Sequence, residues 1–175
     1  LLKTFAPRAQ ARMLRGNVPT RIEKLREGKY GAIILSKAGI KRLSLDLSGL
    51  AVFELDPETW IPAPGQGVVA VEAAFDNERA ATALATLDDK KTRLTTEAER
   101  RILKNFGGGC HSAFAAYATE RDGAFGASVG LALDGKWLSA KVEGSFETLL
   151  EFGPSFMDSF APLMPEGITI CKRIF

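Results

Sequence analysis

Hydrophobic positions along this chain change their period twice, and the changes outline its elements. In the first third, Pro19 suits the first turn of a helix running to about Glu27, with Gly28 as its stop. Ala32-Ile33-Ile34-Leu35 is a short continuous apolar run, as expected of a strand buried on both faces. Ser36 then caps a short helix through Arg42, and Val52-Phe53-Glu54-Leu55 is a second strand candidate ended by the turn at Asp56-Pro57. Ile61-Pro62-Ala63-Pro64-Gly65-Gln66-Gly67 marks a loop or hinge. Val68 to Val71 reads as another buried strand, and Asp76 starts a helix through Leu87.

A four-residue spacing follows. Leu94, Ala98, Ile102 and Phe106 share one face and predict a helix over 92–106, closed by glycine. The chain then alternates at period two. Phe114 to Glu120, Phe125 to Leu133 and Lys136 to Glu143 read as strands joined at Asp122-Gly123 and Asp134-Gly135, both strong hairpin signals. A helix from about Glu147 to Phe160 and a last strand, Ile168 to Lys172, complete a small α+β domain with an antiparallel sheet. The earlier region has the β-α-β grammar of an α/β domain, with too few strands to close a sheet by itself.

With 175 residues the chain can bury a real core, and no run approaches the roughly 20 apolar residues of a membrane helix. The chain begins at Leu1, which reads as a start cut from something longer. Its net charge of +2 conceals an asymmetry. Residues 1–43 hold eleven Lys and Arg against Glu23 and Glu27, a charge of +9, and the remainder carries −7. A cluster of this kind attracts phosphate backbone, acidic lipid or a polycarboxylate, or else is a solvated face with helix-end lysines. Only Phe5 and Tyr30 are aromatic within it, so base stacking has little support and a nucleic-acid module would rest on charge alone.

Gly107-Gly108-Gly109-Cys110 is the candidate for chemistry. Glycines leave a sulfur uncrowded and give the backbone wide freedom. The four residues alone leave two readings open, a thiol presented for reaction and a small buried residue behind an ordinary helix cap. Cys171, the second cysteine, lies in an apolar run, and two cysteines without a secretory segment suit a reducing compartment, which argues against a disulfide. His111 is the single histidine, so no tetrahedral metal set can be assembled from sequence.

An ordered series of segments resembles the porphobilinogen deaminase (hydroxymethylbilane synthase) family. It comprises Leu14-Arg15-Gly16-Asn17-Val18-Pro19-Thr20-Arg21, Ala32 to Leu35 with Ala38-Gly39-Ile40-Lys41-Arg42-Leu43, Pro62 to Gly67, Ala98-Glu99-Arg100, and Gly108-Gly109-Cys110. The resemblance spans most of residues 14–118 and implies the family's C-terminal portion. It implies part of a periplasmic-binding-protein-like α/β domain over 1–61, a crossover and a segment returning to the first domain over 62–87, and a third, α+β domain over 88–175. It implies a dipyrromethane cofactor held by a thioether at Cys110, with Gly108 and Gly109 giving it room, and Arg15, Arg21 and Arg42 pairing pyrrole carboxylates. The thiolate form of a cysteine is the nucleophile such an attachment needs.

The activity so implied is the stepwise deaminating polymerisation of four porphobilinogen units to hydroxymethylbilane, for tetrapyrrole biosynthesis. Expected partners are porphobilinogen, the growing polycarboxylate polypyrrole and the family's N-terminal domain, with no nucleic acid, membrane or metal. The family's catalytic aspartate belongs to that preceding domain, and none in this chain falls in its motif; Asp46, Asp56 and Asp76 read as turn or cap residues. Ala113 replaces the proline usual three residues after the cysteine. The alternative is a non-catalytic truncated paralogue that binds acidic tetrapyrroles. The resemblance implies a cytoplasmic enzyme, with organelle stroma or matrix left open.

Overall fold

The computed structural model describes residues 2–107, 113–133 and 136–153. The chain divides into two compact units, Leu1–Glu54 and Leu55–Phe175.

The first unit contains α1 (Leu2–Phe5), α2 (Val18–Arg26) and α3 (Lys37–Arg42). Asn17 ends the preceding segment by capping α2: its side-chain Oδ1 accepts from the Thr20 amide at 3.0 Å and the Thr20 hydroxyl at 2.7 Å. Pro19 lies in the first turn, and Gly28 takes φ +74° just past the end, as expected. Ser36 caps α3 through the Gly39 amide at 3.4 Å. Each cap satisfies a donor the helix leaves open, worth about 1 kcal/mol. A Cβ at Gly39 would stand 3.6 Å from the Val18 methyl, so α3 meets α2 at its first turn. Ile22, 6% exposed, is the one buried residue described in this unit.

The second unit contains α4 (Glu78–Ala85), α5 (Lys90–Asn105), a sheet of β1 (Phe114–Arg121), β2 (Ala124–Leu133) and β3 (Lys136–Gly144), and α6 (Phe146–Glu151). The sheet is antiparallel in the order β1-β2-β3. Asp122 and Gly123 turn the first hairpin with φ of +53° and +83°, the left-handed pair that a two-residue loop requires. The register sets Ala116 against Val129 and Val129 against Ala140, with Ala118, Ala127 and Val142 in the next row. This face is covered by Ala98, Ile102, Leu149 and Phe152. Small alanines at the strand centres admit the helices closely. The Phe106 ring fills one end, 5.4 Å from Phe114 and 5.9 Å from Phe152.

Three expectations fail in instructive ways. The apolar runs at 32–35, 52–55 and 68–71 form no β-ladder among the described residues. A strand needs a neighbour for its amides and carbonyls, and these runs find none; Ile34, Phe53 and Val69 are 60%, 83% and 80% exposed. The helix expected from Asp76 is capped instead by Asn77 through the Ala80 amide. The helix expected over 147–160 ends, among the described residues, at Glu151, and 154–160 lie outside them. Asn105 Nδ2 donates to the carbonyls of Leu150 and Phe152 at 2.9 and 3.0 Å, and Phe152 leaves the helix to enter the core. The turn at 134–135 and the strand at 168–172 lie outside the described residues. Among those described, no helix is long and apolar enough to cross a membrane.

Candidate anion-binding strap and the cysteine loop

Residues 8–16 form a strap without helix or ladder, carrying the exposed side chains of Arg8, Arg12 and Arg15. Its carbonyls are held by side chains. Tyr30 Oη donates to the Met13 carbonyl at 2.8 Å, Lys24 Nζ to the Arg15 carbonyl at 2.8 Å, and Arg21 Nε to the Gly16 carbonyl at 2.7 Å. Gly16 turns the strap into α2 with φ +121°, and a Cβ there would press on Thr20 Cγ2 at 3.1 Å. Arg21 spends Nε on this anchor, which leaves its two terminal nitrogens as a fork for a planar oxyanion. Arg42 is exposed in the last turn of α3 beside Lys41.

Charge compensation in this unit reaches three of its cations. Arg26 reaches Asp46 at 3.9 Å, Lys29 pairs with Glu27, and Lys37 pairs with Glu54. Those three carboxylates and Glu23 are all the acids of the first unit. Among the described residues, no carboxylate lies within ion-pairing distance of Arg15, Arg21 or Arg42. An arginine fork cannot shed its charge at ordinary pH, so an unpaired set is a standing attraction for carboxylates or phosphates.

Asp46 and Asp56, set aside as turn residues, behave as such. Asp46 accepts from the Ser48 amide and hydroxyl, which hold its carboxyl below the usual range. Asp56 accepts from the Glu58 amide and the Thr59 hydroxyl, with the same consequence.

Cys110, Gly108 and Gly109 lie outside the described residues. What is described is the approach: α5 ends at Asn105, Phe106 caps it, and Gly107 takes φ +66°. The Pro/Gly loop is fixed by its own atoms and by one buried acid. Gln66 Oε1 accepts from the Ala63 amide at 3.1 Å, and the Ala116 amide of β1 donates to the Pro62 carbonyl at 3.0 Å. Glu99, 7% exposed, accepts from the Gly65 amide at 2.6 Å and the Ala118 amide at 2.8 Å. Its carboxylate therefore ties the loop to the edge of β1. Burial pushes the Glu99 carboxyl up, and the bonds from Ala118 and Gly65 oppose the rise.

From sequence Glu99 is only the middle residue of Ala98-Glu99-Arg100, with no role attached. The signal was present, since Glu99 adjoins Ala98 and precedes Ile102 on the buried stripe. Lys24 and Tyr30 carried no such signal; a lysine near a helix end looks like a solvated charge. Among the described residues there is no cluster of His, Cys, Asp and Glu able to hold a metal ion.

Comparisons with known proteins agree with the series of segments. Residues 1–82 match the family model described as "Porphobilinogen deaminase, dipyromethane cofactor binding domain". That match takes in Arg15, Arg21 and Arg42 and stops short of Cys110. The chain is 53% identical over 97 residues to the porphobilinogen deaminase of Roseiflexus sp. (strain RS-1), covering 55% of this chain and 31% of the relative. To that of Xanthomonas oryzae pv. oryzae (strain KACC10331 / KXO85) it is 42% identical over 154 residues, 87% of this chain and 50% of the relative. To that of Xanthomonas campestris pv. campestris (strain B100) it is 40% identical over 159 residues, 90% and 52%. The chain thus spans about half the length, or less, of these curated relatives.

Proposed function

We propose, on the premise that this chain belongs to the porphobilinogen deaminase family, that its first unit binds pyrrole carboxylates for tetrapyrrole synthesis. The observation that carries this reading is that Arg15, Arg21 and Arg42, like Arg8, Arg12, Lys24 and Lys41, have no carboxylate in ion-pairing distance among the described residues, while Arg26, Lys29 and Lys37 take up three of the four acids of the unit. Pyrrole units bearing acetate and propionate groups make a polycarboxylate, and forked guanidinium donors fit that chemistry. The dipyrromethane group, when bound, would supply the free pyrrole end that primes chain growth. Cys110 is its proposed thioether anchor, and Gly108 and Gly109 leave space around the sulfur. Arg15 and Arg21 would bind and orient carboxylates, and Arg42 would add charge at the end of α3.

The reaction so proposed is the deaminating joining of four porphobilinogen units to hydroxymethylbilane. The proton transfers are assigned to an aspartate in a further, N-terminal portion of the protein. Support comes from the share of the relatives this chain spans, and from its exposed apolar side chains. Phe53, Val69, Phe75 and Leu87 are 83%, 80%, 107% and 71% exposed, apolar side chains that a further portion of the protein would cover. The division into 1–61, 62–87 and 88–175, with periplasmic-binding-protein-like architecture in the first part, belongs to the same proposal.

Intact mass of the protein from its native source, followed by peptide mapping, tests the reading. A dipyrromethane-sized adduct on the Cys110 peptide is expected. A bare Cys110 thiol in a preparation that consumes porphobilinogen would remove the anchor assignment.

A further inference from the structure

We infer that Lys24 and Tyr30 are positioning residues, which clamp the strap's backbone so that Arg15 is presented to a carboxylate. The inference rests on the polycarboxylate reading of the first unit and assigns two residues that reading does not use. A segment of nine residues with three arginines and no ladder would, left alone, sample many conformations and repel itself. Here the carbonyls at 13, 15 and 16 are each taken by a donor from α2 or the turn after it. The bonds alternate in kind: a neutral phenol at Met13, an ammonium at Arg15 and a guanidinium at Gly16.

Geometry separates Lys24 from a ligand-binding cation. Its ammonium points at a main-chain oxygen of the very residue whose side chain is proposed to bind. Glu23 on α2 and Glu27 at its C-cap, the acids nearest in sequence, do not take it up, since among the described residues Lys24 has no carboxylate in ion-pairing distance. A charge-assisted bond to a carbonyl is stronger than a neutral one, and fixing the backbone on either side of a side chain lowers the ordering cost of binding through it. Tyr30 performs the same task two residues earlier without charge. Lys24 and Tyr30 thus prepare the strap, while Arg15 and the free end of Arg21 meet the ligand.

The test is fluorescence titration of the full chain with uroporphyrin I, an octacarboxylate probe, together with the rate of tryptic cleavage after Arg12 and Arg15. Lys24→Met should weaken binding about tenfold and Tyr30→Phe about threefold, in keeping with one charged and one neutral hydrogen bond. Both should speed cleavage in the strap. In an Arg15→Met background, the Lys24→Met effect should shrink to about twofold or less, because a positioning residue acts through its client. Thermal melting of each variant checks that α2 survives, and Tyr30→Phe keeps the inference testable should Lys24→Met not fold.

Full additivity of Lys24→Met and Arg15→Met would make Lys24 an independent ligand contact and overturn the clamp. Unchanged affinity and unchanged cleavage in Tyr30→Phe would do the same. Failure of the wild-type chain to bind the probe would instead strike the polycarboxylate reading itself, leaving cleavage rates to decide whether the strap is clamped.

Discussion

The two units of this chain solve the problem of holding backbone in place by opposite means. The second does so with a sheet: β1, β2 and β3 satisfy one another, and the alanine face of that sheet buries itself under α5 and α6. The first has, among its described residues, no ladder and one buried side chain, yet its strap is held at three carbonyls by Tyr30, Lys24 and Arg21. Apolar burial gives stability without direction, whereas side-chain donors give direction with little net stability. A surface meant to present arginines to a ligand needs direction. The unit with the core supplies permanence, and the unit with the clamps supplies a disposition of charge.

Removing core volume should therefore show the largest effect, and it should fall on the second unit. Ile102 is fully buried between α5 and the sheet. Ile102→Ala should cost about 2–5 kcal/mol, the range for a large-to-small change in a packed interior. Ile22→Ala in the first unit should lie at the low end of that range or below it, since few buried neighbours surround it and the site can collapse. Urea unfolding followed at Trp137 in the sheet and Tyr30 in the first unit compares the two. Equal losses would mean that the first unit has a core of the same quality.

Legibility from sequence follows the same division. The hairpin signal at Asp122-Gly123 and the alternation on either side gave β1 and β2 to within a residue or so, because a two-residue turn and a buried face fix register between them. The stop of α2 at Gly28 and the cap at Ser36 were equally plain, since both are local chemistry. Val52 to Leu55 and Val68 to Val71 were read as strands from apolarity alone, and a strand is not a local object. It exists only beside a partner, and apolarity does not say whether the partner is in the chain. The end of α6 was missed for a related reason: Asn105, forty-five residues before Leu150, captures its carbonyl. In the candidate site the arginines were visible as a charge asymmetry. Lys24, Tyr30 and Glu99 were not, because a backbone carbonyl leaves no trace in the sequence of the residue that bonds it.

Glu99 should come next in size. Glu99→Ala strips the part-buried Gly65 amide and the buried Ala118 amide of their acceptor, and two donors so stranded cost about 2–4 kcal/mol in total. Glu99→Gln keeps the shape and at most one of the two acceptors, so it should recover about half. The pH dependence has a definite sign. Burial raises the folded carboxyl above its usual range, so the folded protein holds this proton more tightly than the unfolded chain. The contribution of Glu99 to stability should be greatest below the ordinary carboxylate range and should fall as pH rises through the raised value. A slope of opposite sign, absent in Glu99→Gln, would mean that the two amide bonds outweigh burial.

The first unit should answer a backbone change more than a volume change. Gly16→Ala places a methyl at φ +121° and 3.1 Å from Thr20 Cγ2, a combination that costs about 1–3 kcal/mol if the conformation is kept. The strap has a cheaper response, which is to release the Arg21 Nε bond at Gly16 and swing away from α2. Gly16→Ala should then lose less stability than the strain implies and lose affinity for a polycarboxylate probe about tenfold. Thermal melting and titration on the same preparation separate the two. Stability lost with affinity intact would show that Gly16 serves the fold of α2 and not the presentation of Arg15.

The smallest effect should come from the ion pairs on the outer face of the sheet, where the second unit most resembles the first. Glu58 meets both Arg121 and Lys141 at 2.8 Å, with all three side chains partly in water. The hydrogen bond from Lys141, then its charge, hold the Glu58 carboxyl below the usual range. A depressed carboxyl stabilises the fold above its unfolded value, and that share is lost as pH falls through the folded value. This is the reverse of Glu99. Glu58→Gln should cost about 0.2–1 kcal/mol at neutral pH and low salt, because exposed pairs are largely screened, and nothing measurable at 1 M salt. Its acid limb should be flatter than that of the wild type. A loss of several kcal/mol that persisted in high salt would mean that the Glu58 pairs are shielded from water, and the face would then belong to the core and not to the solvent.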